Sequence, residues 1–154
     1  MTLYYLDSSA WRKYYIRETG SEEIAKLFAD VSLLACHSIG FLEVVSAIWK
    51  KVQAEKVAKE AFQRKIRDVG NDWTQFIQVH SSQRILNLAA QVAITKNLTE
   101  SQALHLASVM LLQKLNQDAK VSITVVSSDT SILAAAQSQG FITMNPASSV
   151  ALQQ

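Results

Sequence analysis

The chain has one proline and four glycines in 154 residues. So few helix breakers leave no room for a Gly/Pro-rich linker or a low-complexity tail, and no internal repeat is visible. One cysteine excludes a disulfide framework, and without a CxxC pair or a Cys/His cluster nothing suggests zinc. Cys36 stands alone in an apolar run and reads as a small buried hydrophobe of a reducing compartment, so a cytoplasmic protein is expected. Charges or amides interrupt every apolar run before it reaches the length of a membrane span. The opening MTLYYLDSSAW has neither a basic leader nor a cleavage site, so no signal peptide is expected. The net charge of +2 is too small to identify a nucleic-acid partner. The segment 50–68 is locally basic, and it reads as a solvated helix face rather than as a nucleic-acid surface.

What the chain does have is core. Hydrophobic residues make up 49% and charged residues 18%, enough for one domain over residues 1–154 to fold without staples. Short β-like runs alternate with longer helical ones. Strands are expected at 3–6, 32–37, 76–80, 122–126 and 141–144. Helices are expected at 9–18, 21–29, 39–52, 54–69, 82–95, 99–116 and 130–139. The last helix should stop at Gly140, a residue suited to a left-handed C-terminal position. Strands separated by helices imply an α/β fold around a mostly parallel sheet with right-handed crossovers. Such sheets bind ligands at the carboxyl ends of their strands.

Three carboxylates attract attention by their isolation. Asp7 is the only charged side chain between Met1 and Trp11, Glu43 the only one between Val31 and Trp49, and Asp129 the only one from Val121 onward. An acid alone in an apolar segment needs a partner, because burying an unpaired carboxylate costs several kcal/mol. A divalent cation would serve all three. Asp7 follows the first expected strand and Asp129 follows the strand 122–126, while Glu43 lies early in the helix after the second strand. All three can therefore line one end of the sheet. Ser8, Ser127 and Thr130 stand beside them and could support a bound water or phosphate oxygen. Plainer readings exist. Asp129 is a natural helix N-cap, and Asp7 could cap the first helix. Glu43 has no helical neighbour able to pair with it.

Asp7-Ser8-Ser9-Ala10, FLEVVSAIW around Glu43, ALHLAS at 103–108, SSDTSILAAAQSQGF from Ser127 and the closing Asn145-Pro146 together resemble the PIN-domain family. The likeness is closest to VapC-type toxins and runs over nearly the whole chain in order. It implies a three-layer α/β sandwich and a magnesium- or manganese-dependent endoribonuclease. It implies acidic catalytic and metal-binding residues at Asp7, Glu43 and Asp129. It also implies a small antitoxin that inserts a segment into the active-site groove, and a homodimer. One position departs. The family usually carries Asp before the ALHLA segment, where this chain has Gln102. Its amide oxygen could still ligate a metal, but Thr99-Glu100-Ser101-Gln102 also fits a capping box. His105, three residues on, reads as a partly buried helix histidine. Arg12, Lys13, Lys50 and Lys51 could track an RNA backbone. The rival reading is a weakened PIN domain acting as an RNA- or protein-binding module. A receiver-like signalling domain fits poorly, because Asp7 has no acidic neighbour and no Lys follows Val126.

Overall fold

A computed structural model describes residues 1–151 apart from Val31, with the side chains of 149–151 excluded. Residues 152–154 of the expected domain lie outside it. Five strands, β1 (Thr2–Leu6), β2 (Leu33–His37), β3 (Ile77–Val79), β4 (Ser122–Val126) and β5 (Ile142–Met144), form one sheet in the order β3-β2-β1-β4-β5. Every pairing is parallel. The helices are α1 (Ser8–Trp11), α2 (Ser21–Ala29), α3 (Ser38–Glu55), α4 (Lys59–Trp73), α5 (Gln83–Lys96), α6 (Glu100–Leu115), α7 (Thr130–Ser138) and α8 (Pro146–Ala151). The strand order reverses at central β1, so β1 and β4 flank a crevice at their carboxyl ends.

The period-two alternation of each strand divides the core between the two sheet faces. Leu3 and Tyr5 of β1, with Ile123 and Val125 of β4, pack into a cluster with Ile85, Ala103, Leu106 and Ile132. Leu6 and Val126 point the other way, into a cluster with Trp11, Ile24, Val44 and Ile48. Two helical layers thus cover a sheet buried on both sides, which is the expected three-layer sandwich.

Several helix boundaries differ from expectation. α4 runs from Lys59 to Trp73 rather than over the expected 54–69, and α8 is an element not expected. The helix expected at 9–18 is only α1 followed by a 3-10 turn, Arg12–Tyr14. Side-chain donors satisfy the carbonyls just past that turn. Lys65 Nζ donates to the Tyr15 carbonyl at 2.7 Å and Ser21 Oγ donates to the Ile16 carbonyl at 3.2 Å. The break expected near residue 53 falls later. α3 runs to Glu55, and Lys56 takes a left-handed φ of 50° while its N–H closes onto the Val52 and Gln53 carbonyls. Neither Gly nor Pro marks that turn. Gly140 does adopt the positive φ expected, at 85°. Gly40 matters to the site, because a Cβ there would collide with Cys36 Sγ and lie 3.4 Å from His105 Cε1. Its bare backbone lets α3 approach β2 and α6.

Candidate active site at the carboxyl edge of the sheet

Asp7 is the first residue past β1 and is 2% exposed. Its Oδ1 accepts from the Ala10 N–H at 3.0 Å, capping α1, and from Ser9 Oγ at 2.7 Å. Its Oδ2 accepts from Ser127 Oγ at 2.6 Å. Desolvation pushes its pKa above the ordinary carboxylate range, against the lowering effects of His105, Ser127, Ser9 and Ala10. Asp129 caps α7, its Oδ1 accepting from the Ser131 and Ile132 N–H groups at 2.9 and 3.2 Å. Its Oδ2 accepts from Gln102 Nε2 at 2.9 Å. Ser127 joins the two acids, since its Oγ also accepts the Asp129 N–H at 2.9 Å. The hydroxyl that donates to Asp7 thereby sets the position of Asp129.

Glu43 enters from α3. Its Oε1 lies 2.8 Å from His105 Nε2, and its Oε2 accepts from Ser101 Oγ at 2.8 Å. Burial would raise its pKa, but His105, Ser101 and Ser8 outweigh that and leave it below the usual value. The expectation that Glu43 has no partner holds for its own helix and fails across the fold, because α6 supplies two. His105 is not a partly buried bystander. It is 1% exposed, and its Nδ1 lies 2.8 Å from Tyr5 Oη. Tyr5 Oη accepts the His37 N–H at 3.1 Å. A carboxylate only accepts, so Nε2 carries a proton toward Glu43, and in the neutral imidazole Nδ1 then accepts from the Tyr5 hydroxyl. Burial holds Tyr5 well above its ordinary pKa, so it stays a donor. A buried chain Tyr5–His105–Glu43 thus anchors the third acid. Its only legible sequence signal was the placement of His105 one helical turn beyond Gln102.

The other expected site residues divide. Ser8, Arg12, Lys50 and Lys51 line a cavity of about 600 Å³ together with Glu43, Arg17 and Glu18. Lys13 does not join them. It is 6% exposed and pairs with Glu18 at 3.2 Å, because the 3-10 turn directs it inward, so its expected place on a nucleic-acid track is corrected. Thr130 is exposed, and no hydrogen bond ties it to the acids among the described residues. Gln102 completes the expected α6 capping box, and it also reaches Asp129, a contact not expected. It reaches Asp129 through its nitrogen, while its oxygen faces the Thr99 N–H.

Carboxylates and hydroxyls are the donors that hard divalent cations select. Among the described residues, no salt bridge reaches Asp7 or Asp129. No group of three His, Cys, Asp or Glu side chains among them stands close enough to cage an ion. The donor set therefore fits a water-rich ion of the magnesium type, which needs only one or two protein carboxylates, rather than a three-ligand cage.

No protein-family model and no curated protein sequence matches the chain. Solved structures do. A toxin–antitoxin complex from Klebsiella pneumoniae aligns with a TM-score of 0.64 at 14% identity, covering 92% of this chain and 96% of that one. VapBC-1 from nontypeable Haemophilus influenzae aligns at 0.60 and 9% identity, covering 94% and 98%. FitAcB from Neisseria gonorrhoeae aligns at 0.56 and 15% identity, covering 95% and 98%. The chain has the fold of these proteins over nearly their full length.

Proposed function

We propose, from the PIN-domain fold that this chain has, that it is a magnesium- or manganese-dependent endoribonuclease and the toxin of a toxin–antitoxin pair. The observation that carries the reading is the set of three acids at the carboxyl edge of the sheet, two of them in no salt bridge among the described residues, with Glu43 lining a cavity that it shares with Arg12, Lys50 and Lys51. Asp7 and Asp129 are the residues that would hold the cation. A divalent ion there supplies Lewis-acid polarisation of the phosphodiester and makes water a better nucleophile at neutral pH. Glu43, fixed by His105 and Ser101, orients the attacking water and takes its proton through the oxygens those partners hold in place. Arg12, Lys50 and Lys51 bind the phosphates on either side of the scissile bond. The partner is a small antitoxin protein whose inserted segment would occupy the same groove, and the working unit is a cytoplasmic homodimer. No helix among the described residues is long and apolar enough to cross a membrane.

One observation favours a second reading, a PIN domain that binds RNA or protein without turnover: Gln102 brings no charge to the site. Cleavage of a small-RNA pool by the purified chain decides between them. Cutting that needs magnesium or manganese, stops in EDTA and is lost in Asp7→Asn supports the nuclease. RNA that is bound but never cut in either metal supports the binding module.

A further inference from the structure

Gln102 uses one amide twice. Its Oε1 accepts the Thr99 N–H at 3.0 Å and its Nε2 donates to Asp129 Oδ2 at 2.9 Å. Chemistry fixes this orientation. A backbone N–H can only donate, so the oxygen must face Thr99 and the nitrogen is left for Asp129. A metal ion requires a lone pair, and the amide nitrogen offers a proton instead. The partner oxygen of Asp129, Oδ1, is already committed to the first turn of α7. The Gln102 N–H therefore takes one of the two lone pairs of the Asp129 oxygen that α7 leaves open, where a second cation would otherwise bind, and leaves the other lone pair for a first.

We propose that the Gln102 amide plugs a cation position on Asp129, so that this chain holds one divalent ion fewer than the same site would with a carboxylate at 102. The proposal rests on the cation-binding reading above, but its test does not depend on cleavage. Gln102→Glu is isosteric and keeps an oxygen for the Thr99 N–H. It sets a second oxygen against Asp129 Oδ2 where the N–H stood, about 2.9 Å away. Two carboxylate oxygens so close repel unless a proton or a cation lies between them.

Calorimetric titration of manganese into the full chain and into Gln102→Glu measures the number of ions. The variant should take up one more ion per chain than the parent. Its melting temperature in EDTA should fall by roughly 2–4 °C or more, and manganese should restore it. Equal stoichiometry in parent and variant overturns the proposal. A parent that binds no manganese refutes the cation-dependent function, yet one ion gained by Gln102→Glu would still uphold the plug. Gln102→Asp, also able to accept at the cap, repeats the count should the Glu variant fail to fold.

Discussion

Removing one oxygen atom tests whether the Tyr5–His105–Glu43 chain is a structural spine of the site. In Tyr5→Phe the ring stays and the core keeps its volume, since Tyr5 is fully buried. Two groups lose their partner. The His37 N–H, 3.1 Å from Tyr5 Oη, is the last backbone donor of β2 and precedes α3. His105 Nδ1, 2.8 Å away, loses the donor that fixes its tautomer. A buried polar group left unsatisfied costs about 1–3 kcal/mol, so the loss should total roughly 2–4 kcal/mol after relaxation. For a domain of this size that lowers the melting temperature by about 5–15 °C. Urea unfolding should show a lower midpoint with an unchanged slope. Tyr14→Phe is the control, because that ring is 43% exposed and should shift stability by less than about 0.5 kcal/mol. A double-mutant cycle with His105→Ala should give a coupling of about 0.5–3 kcal/mol. If Tyr5→Phe matches the Tyr14 control, the hydroxyl is not what holds His105, and the reasoning about the spine fails.

Three further outcomes follow from the same geometry. Asp7 has a raised pKa in the fold, so its penalty is absent below the unfolded value, grows as pH rises through the folded value and is complete above it. Asp7→Asn should therefore gain stability at pH 7 while abolishing cleavage, measured by paired urea and RNA assays. His37 is held at about 4, mainly by burial and also by His105 and His80, and its Nδ1 accepts the Ile39 N–H at the start of α3. Below the unfolded pKa near 6.5 the unfolded chain takes up a proton that the fold refuses. Stability should thus fall between pH 6.5 and about 4, by at most about 3 kcal/mol, and His37→Asn, which can still cap α3, should flatten that decline. Lys50→Ala and Lys51→Ala should each weaken RNA binding and reduce the log–log salt slope by about 0.7 if they contact phosphates, as salt titration of binding would reveal.

The fold was legible where local pattern and tertiary demand coincide. The β-branched run 122–126 and the apolar run at 3–6 became adjacent central strands, because a sheet covered on both faces requires continuous apolar sequence. The placement of Asp7 and Asp129 just past those strands made their convergence at one edge legible too. Contacts with distant partners were not legible. Nothing between residues 12 and 18 announces that Lys65, far along the chain, will take the Tyr15 carbonyl. The partners of Glu43 were hidden for the same reason. Ser101 and His105 lie 58 and 62 residues away on α6, and helical spacing speaks only of neighbours within a turn. Lys13 shows the opposite failure: a cation expected to track RNA from its place beside the first helix pairs inward with Glu18, because the chain turns there in a way its neighbours do not announce.

The way the acids are held bears on what they can do. A lysine or arginine beside each would satisfy them equally well, but it would cancel their charge. Here Arg12 and Lys13 are occupied by Glu18 and Lys51 by Glu55, leaving the carboxylates to neutral donors. Ser9, Ser127 and the Ala10 N–H hold Asp7; Gln102 and the start of α7 hold Asp129. Only Glu43 has an ionisable partner, His105. Hydroxyl and amide donors fix direction while leaving net negative charge in place, at the cost seen in the raised pKa of Asp7. A fold selected only for stability would remove that charge, as Asp7→Asn does. Glu43 shares its groove with Arg12, Lys50 and Lys51, so acid and base stand together there, the arrangement the proposed nuclease needs to draw in a polyanion with one set of residues and a divalent cation with the other.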